Sequence, residues 1–491
     1  MTPLLGFTPD APTTAEGIIL DCSDWIPFEA GMKAAPSATA QGASAVAAAT
    51  RGAATVTKLD GSRRVFAGTT AKLYELSGTT FTDRTRAVGG DYALGAGVRW
   101  SFVQFGDTTY ASNIDTVVQK STTGAFADLA TAPKAKILES LVTSGGGFVF
   151  AFNTIDAGFG TSPDRWWCTS LNDGDVYTVN PSVTQANSGR LLGAEGPITA
   201  AKKLGSDMIV AYKDRSIYVG RYVGPPVVWQ FTEIPSVGCV GPDAIVDIGT
   251  AHIFVGQDNI YLFDGTRPIS IADGRVRQWF QDNCSVDYKA YTQVVFDRDQ
   301  QLIGINFART GSGDGSLDTS LVYHIATKQW GRADRRAETF FVYNAPSVTY
   351  DTLTGTYDTQ TGSYDSVAAG ARVLAYFDTS HVLQLMTGTP GSSYFTLHDI
   401  GDDTLVSRLE EVTLRYMTTP TTASISAFSS MATGGVPSVG PTQSAYDVPA
   451  NGKNKFQLRQ TARWHRTQYN FTGPCEVVGY GVTGIRPAGK R

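Results

Sequence analysis

The segment His252–Phe263, HIFVGQDNIYLF, contains the unit that recurs through this 491-residue chain. The apolar run HIFV is followed by the polar turn GQDN and by a second apolar run, IYLF, which carries an aromatic residue. Two short apolar runs separated by a polar turn predict a β-hairpin. The same arrangement recurs at residues 64–76, 100–112, 208–220, 301–325 and 371–386, and with a longer connection at 147–170.

The spacing of these hairpins predicts how they assemble. The aromatic residues of successive second strands are separated by 36 residues (Tyr74 to Tyr110) at the least and 62 (Tyr261 to Tyr323) at the most. Most spacings are near the roughly 40–50 residues of a four-stranded propeller blade. A lone hairpin cannot bury its apolar face stably, but sheets packed around an axis can. We therefore expect an all-β fold, a β-propeller of six to eight blades, with a pair of β-sandwiches as the alternative.

The regions on either side of the hairpins have a different composition. Residues 1–58 are interpreted as an N-terminal arm with an Ala-rich segment, which is compatible with a short helix or a docked extended chain. Residues 59–390 are assigned to the propeller. Residues 391–491 are predicted to form a separate C-terminal β domain.

Charge and cysteine content exclude several classes of protein. Residues 401–491 carry ten basic and six acidic side chains, whereas the rest of the chain has a net charge of −9. The body therefore has no electrostatic reason to bind nucleic acid tightly. The five cysteines are far apart and form no CxxC pair, which predicts buried free thiols. No secretory signal or membrane-spanning run is evident, so synthesis and folding in a cytoplasm are expected.

No catalytic, cofactor or metal site is predicted. The five histidines form no metal-binding motif, and His252 and His324 lie within apolar strands, which favours structural roles. The sequence GIRPAGKR (484–491) has arginine where a phosphate-binding loop needs Ser or Thr, and no helix can follow it. The segment GSGDGSLD (311–318) lacks the glutamate that closes a calcium loop and is interpreted as a hairpin loop.

A basic segment near the C-terminus has period-two alternation. In KNKFQLRQTARWHRTQYNFTG (453–473), Lys453, Lys455, Arg459 and Arg463 share one face, and the opposite face carries Phe456, Leu458, Ala462 and Trp464. The phase changes at His465–Arg466, which predicts a β-bulge. Basic residues interleaved with aromatics suit nucleic acid, but a subunit interface or a solvated face is favoured.

The segment TYDTLTGTYDTQTGSYDS (349–366) repeats Tyr-Asp three times with a period of seven. The repeated residues are Tyr350, Asp351, Tyr357, Asp358, Tyr364 and Asp365. No histidine or glutamate accompanies these aspartates, so metal binding and acid/base catalysis are disfavoured. The repeated pattern Asp-Thr-x-Thr-Gly instead supplies turn-forming residues and supports serial turns. We predict a projecting acidic loop that serves as an interaction surface.

Several of these segments together resemble the tail nozzle proteins of short-tailed bacteriophages, also called packaged-DNA stabilisation or tail hub proteins. DCSDWIPFEAGMKAAPS (21–37) is similar to the opening of that family, and RWSFVQFGDTTYASN (99–113) to its Trp-x-x-x-x-Phe-Gly-Asp strand pair. SVGCVGPDAIVDIGTAHIFVGQDNIYLFDGTRPISI (236–271) resembles a blade ending in Phe-Asp-Gly. The Tyr-Asp repeat resembles the family's Trp-Asp repeat, and ARWHR with the Gly-Lys/Arg tail resembles its closing strand.

The resemblance implies a structural, non-enzymatic virion protein without a cofactor. Such proteins form a ring, usually of six copies, below the portal and adaptor rings; they retain packaged DNA and conduct it during ejection. Fibres, spikes or a needle attach to the ring, and DNA passes through it without specific binding. A candidate contact with a neighbouring subunit or the adaptor is the basic group Lys453, Lys455, Arg459, Arg463, Arg466, Lys490 and Arg491.

Two other functions remain open from the residues alone. A non-catalytic carbohydrate- or receptor-binding propeller of a phage tail or cell surface would need exposed aromatics on one face, for which Trp166, Trp167 and Trp229 are candidates. A propeller glycosidase or lyase would need paired carboxylates facing one pocket. The sequence shows no motif for such a pair.

Overall fold

The computed structural model describes residues 1–194, 196–235, 237–345, 372–437, 440–447 and 454–489. Within these ranges the regular secondary structure is almost entirely β-strand, with one α-helix, α1 (Arg277–Asn283), and a short 3-10 helix at Lys289–Tyr291. No helix in this part of the chain is both long and apolar enough to cross a membrane. The all-β class expected from the sequence is confirmed.

The first forty residues form five short strands that pair with distant parts of the chain. These strands are β1 (Thr2–Pro3), β2 (Ile19–Ser23), β3 (Trp25–Phe28), β4 (Gly31–Ala34) and β5 (Ser37–Ala40). The Ala-rich segment that follows is extended in its first part, because Ser37–Ala40 pairs with a strand more than 340 residues away.

Seven successive antiparallel units follow, each built from strands that are adjacent in sequence. Blades 1 to 3 are β6 (Ala53–Thr57), β7 (Arg63–Gly68), β8 (Leu73–Ser77), β9 (Thr80–Asp83); β10 (Ser101–Phe105), β11 (Thr108–Asn113), β12 (Thr116–Ser121), β13 (Ala127–Asp128); and β14 (Lys134–Thr143), β15 (Gly146–Asp156), β16 (Gly160–Cys168), β17 (Asn187–Arg190). Blades 4 and 5 are β18 (Ala200–Leu204), β19 (Met208–Tyr212), β20 (Ser216–Gly224), β21 (Val228–Pro235); and β22 (Ile245–Asp247), β23 (His252–Val255), β24 (Ile260–Phe263), β25 (Pro268–Ser270). Blades 6 and 7 are β26 (Gln293–Asp297), β27 (Leu302–Phe307), β28 (Thr319–His324), β29 (Trp330–Ala333); and β30 (Ala337–Asn344), β31 (Arg372–Asp378), β32 (Leu383–Gly388).

The first strand of each blade lies innermost, and these inner strands close a ring. Each inner strand contacts the inner strand of the next blade, and β30 of blade 7 returns to contact β6 of blade 1. The outer strand of blade 7 is β5 from the N-terminus, with Thr39 opposite Leu385. The described residues therefore form a seven-bladed β-propeller, closed by a strand from the start of the chain.

Neighbouring blades are held together by aromatic packing. Between blades 3 and 4 the Phe150 ring is buried against Trp229, with ring centroids 4.8 Å apart and planes at 78°. Edge-to-face packing of this kind adds about 0.5–1.5 kcal/mol to the burial of the rings themselves. Blade strands are apolar on both faces because each sheet is covered by a blade on either side, as β27 illustrates with six consecutive buried residues.

The C-terminal region is a two-sheet β-sandwich. Its strands are β33 (Ser392–Leu397), β34 (Ile400–Gly401), β35 (Val406–Thr418), β36 (Thr422–Ser430), β37 (Gln443–Asp447), β38 (Lys455–Ala462), β39 (Trp464–Thr472) and β40 (Glu476–Gly489). One sheet has the order β2-β33-β39-β36-β37, with β34 beside β39, and the other contains β4-β40-β35-β38, with β1 beside β40. Both sheets thus include N-terminal strands.

The change of phase in the basic segment arises from a change of sheet. β38 pairs with β35, whereas β39 pairs with β36 and β33 in the opposite sheet. The chain bends at Arg463 between the two strands. Buried residues alternate through β38 at Phe456 and Leu458, and the alternation restarts in β39 at His465. The predicted bulge at His465–Arg466 is therefore replaced by a corner between the two sheets.

The sandwich and the propeller share one core. β3 pairs with β29 of blade 6 at Trp25 and Arg332, and with β4 on its other side. At this junction a Cβ on Gly331 would collide with the Trp25 carbonyl oxygen, so the close approach needs glycine. A single hydrophobic cluster extends from blades 4 to 6 into the sandwich. The boundary expected at residue 58 also differs, because blade 1 already begins at Ala53.

Candidate functional site

The seven inner strands surround the propeller axis, where two adjoining cavities together form what we call the axial channel. A cavity of about 300 Å³ is lined from five of these strands, including Lys202 of β18 and Asp247 of β22. An adjoining cavity of about 400 Å³, lined by Lys136 of β14 and Ser101 of β10, shares Arg99 and Asp243 with it. Together these cavities contact all seven blades, so the channel is the principal concave feature at the propeller axis.

Opposite charges face each other inside this channel. Arg99 donates to the Asp243 carboxylate at 2.8 Å and to the Thr339 hydroxyl at 2.9 Å, which ties the connection before blade 2 to the connection before blade 5 and to blade 7. Lys202 Nζ lies 3.4 Å from Glu139 Oε2 on the neighbouring blade. These pairs link different blades to one another. Within each pair the positive and negative charges compensate one another.

The basic groups of the channel differ in their protonation behaviour. Attraction to Glu139 raises the pKa of Lys202. Lys136 reaches the solvent of the channel, yet the surrounding blades desolvate it and lower its pKa, with Asp243 acting in the opposite direction. Partial loss of hydration in a narrow channel disfavours the charged form of a lysine even where water still reaches the side chain.

The sandwich contains a serine–histidine–glutamine arrangement that superficially resembles a nucleophilic triad. Ser407 Oγ lies 3.1 Å from His465 Nε2, and His465 Nδ1 lies 3.0 Å from the Gln460 side-chain oxygen. His465 is fully buried, and Ser407 and Gln460 are each less than a tenth exposed. The three buried side chains hydrogen-bond to one another, so the arrangement is a satisfied polar cluster of the core.

Other sequence candidates for metal or acid/base chemistry have protein partners. Asp314 accepts from the Ser316 hydroxyl and amide, which lower its pKa to about 2, and from Arg336 at 2.8 Å. His324 Nδ1 accepts from the amide of Thr327. Across the described ranges no group of three or more His, Cys, Asp or Glu side chains is arranged to hold a metal ion. The five cysteines are buried and unpaired, as predicted.

Four members of the predicted basic contact group are described. Lys455 and Arg459 project from the exposed face of β38, where Lys455 Nζ lies 3.1 Å from Glu411. Arg463 donates to Thr433 at the corner between the sheets. Arg466 forms a bidentate ion pair with the buried Asp399 at 2.7 and 2.8 Å, so its charge is compensated inside the sandwich. Lys453, Lys490 and Arg491 lie outside the described residues.

The Tyr-Asp repeat also lies outside the described residues, but its attachment points are defined. Asn344 at the end of β30 pairs directly with Arg372 at the start of β31. The residues that connect these two strands include Tyr350, Asp351, Tyr357, Asp358, Tyr364 and Asp365.

The tryptophans considered for carbohydrate binding are placed differently from the expectation. Trp166 and Trp229 are only 5% and 3% exposed and pack in the core between blades 3 and 4. Trp167 lies on the opposite face of β16 and is partly exposed. An aromatic platform made of all three side chains is thus absent from this described part of blades 3 and 4.

The channel residues were missed by sequence reasoning. Arg99 precedes Trp100 in a quoted hairpin, and Lys136 and Glu139 interrupt an apolar strand in KAKILES (134–140). A charged residue within an otherwise apolar inner strand was the available signal. Its partner could not be inferred, because the ion pairs connect different blades.

No family model and no curated protein matches the chain. Solved structures with low similarity include BBS1N in complex with ARL6DN (10% identity, TM-score 0.40, covering 74% of this chain and 96% of that one). They also include YCF48 bound to D1 peptide (12%, 0.36, 74% and 97%) and BamB from Moraxella catarrhalis (11%, 0.38, 75% and 96%). These similarities carry no argument about function.

Proposed function

We propose that this protein is a structural virion protein, the tail nozzle of a short-tailed phage. In this role it retains packaged DNA before infection and conducts it during ejection, without catalysis. It would be synthesised in the host bacterial cytoplasm and reside in the tail. The basis is the ordered set of sequence resemblances from about residue 20 to the end of the chain.

The way the N-terminal strands connect the molecule supports this proposal. The segment that resembles the family opening, residues 21–37, runs from β2 in the sandwich, through β3 and β4 at the junction, to β5 in blade 7. A wall that holds pressurised DNA must resist separation of its parts. Strands shared between two bodies resist separation through many backbone hydrogen bonds that must break together.

The proposed partners are further copies of the chain in a ring, six being the usual number, and an adaptor ring above it. Fibres, spikes or a needle would attach outside or at the tip. A net charge of −9 over residues 1–400 fits a conduit that passes DNA without holding it, because each phosphate contact adds affinity. A cyclic ring needs a heterologous interface that closes on itself.

Electron microscopy of the purified full-length protein tests the proposal. We expect rings with a central pore in which each subunit shows a propeller and a sandwich. Particles that stay monomeric across a concentration series, alone and with the cognate adaptor, would contradict it. Localisation of the protein to tails in labelled virions provides a second, independent check.

A further inference from the structure

Blade 3 carries an aromatic and cationic cluster on the flank that faces blade 2. Phe159 stands at the tip of the β15–β16 hairpin and is 54% exposed. Arg165 and Trp167 lie two residues apart on β16, so they share a face of the strand. The Arg165 guanidinium lies 3.6 Å from the centre of the Phe159 ring, and the Phe159 and Trp167 ring centroids are 6.1 Å apart.

Arg165 differs from the other buried arginines in having no carboxylate. Within the described chain, three arginines are at least nine-tenths buried. Arg64 pairs with Glu75 at 2.6 Å, and Arg332 pairs with Asp21 and Asp334 at 2.9 and 2.7 Å. Arg165 makes one hydrogen bond, from Nη1 to the Ser188 hydroxyl at 3.4 Å. A buried cation without an anion is costly.

Several polar atoms at this cluster are buried without a hydrogen-bond partner. Arg165 Nε, Trp167 Nε1 and Asp156 Oδ2 are buried and have no hydrogen-bond partner. Such groups are rare in folded proteins and call for an explanation. A bound ligand that supplies an acceptor for the guanidinium and a flat apolar face for the rings would account for the arginine and the exposed phenylalanine together.

We propose that Arg165, Phe159 and Trp167 form a binding site for an acidic sugar. The sugar carboxylate pairs with the guanidinium, and the apolar face of the sugar ring packs on Phe159 and Trp167. A polyanion such as nucleic acid is disfavoured, because the cluster has one guanidinium and polyanions gain their affinity from several cationic contacts. This site goes beyond the proposed tail function and does not depend on ring formation.

Calorimetric titration of the full-length protein tests the site. The probes are trigalacturonate, triglucuronate and 3′-sialyllactose, each compared with its neutral counterpart. We expect at least one acidic probe to bind tenfold or more tightly than its neutral counterpart. Phe159→Ala and Arg165→Gln should each weaken that binding at least tenfold, whereas Arg221→Gln, which removes an exposed charge on blade 4, should leave it unchanged.

Binding of none of the acidic probes, or equal binding of acidic and neutral probes, would overturn the proposal. The proposal is also overturned if single-stranded oligothymidylate binds the protein more tightly than every acidic sugar and if Arg165→Gln weakens that binding. Phe159 is exposed at a hairpin tip, so Phe159→Ala should fold even if Arg165→Gln does not. Ring formation is scored in the same preparations. Rings that form without binding sugar would contradict the proposed sugar site and leave the proposed tail function unaffected.

Discussion

At the scale of single residues, burial of His252 makes stability depend on pH. The ring lies between the Tyr212 hydroxyl at 2.8 Å and the Lys203 carbonyl at 2.7 Å, and burial lowers its pKa from 6.5 to about 4. Between these values the unfolded chain binds a proton that the folded chain does not. The free energy of unfolding should therefore fall as pH falls from about 6.5 to about 4, by an amount on the order of 3 kcal/mol. Urea unfolding at four pH values measures this change in the free energy of unfolding.

The control for this pH dependence is His252→Gln, which cannot titrate. Its pH slope should be shallower than that of the wild type, although not flat, because burial also lowers the pKa of His324, His398 and His465. An unchanged slope in the variant would show that His252 is not the group responsible.

The thiols provide a second test at the residue scale. All five cysteines are buried, and burial raises the pKa of both Cys168 and Cys239 to about 12. Thiolate is the reactive form, so the native protein should not react with a chromogenic disulfide reagent within minutes. In guanidinium chloride five thiols per chain should react. Rapid labelling of even one thiol in the native protein would show that local opening exposes it.

At the scale of elements, the insertion in blade 7 should be removable. Because Asn344 and Arg372 pair directly, residues 345–348 and 367–371, which remain after deletion of residues 349–366, are long enough to join β30 to β31. We expect the deletion variant to remain soluble, with a circular dichroism spectrum and melting temperature close to those of the wild type. Assembly into rings should be impaired. Global unfolding of the variant would contradict the interpretation of this segment as a projecting loop.

Hairpins were predictable from sequence because their two strands are neighbours in the chain. HIFVGQDNIYLF forms β23 and β24 of one blade, as its pattern predicts. The corner at Arg463 was not predictable, since period-two alternation restarts in the same way after a bulge and after a change of sheet. The Arg99–Asp243 pair of the channel joins residues 144 positions apart, and local periodicity contains no information on such a contact.

At the scale of the whole molecule, the N-terminal segment has the role that local sequence predicts least well. Its short strands carry little periodic signal, because each is only two to five residues long. Their partners are strands of the sandwich, blade 6 and blade 7. A segment interpreted as an arm is thus part of three sheets, and the bodies drawn as separate in sequence share one hydrophobic cluster.

This shared core predicts that propeller and sandwich unfold together. Removing residues 1–40 deletes Trp25 and Met32 from the cluster and takes the outer strand from blade 7, so both bodies lose buried apolar surface. Replacing such core side chains singly costs about 2–5 kcal/mol each. The wild type should show one coincident transition by tryptophan fluorescence and far-ultraviolet circular dichroism, and the truncated chain should be largely unfolded or insoluble.

Deleting residues 1–3, which removes only β1 from the edge of β40, is the matched control and should lower the melting temperature by a few degrees at most. Two separate transitions in the wild type, or a truncated chain that keeps a native sandwich, would show that the two bodies are independent.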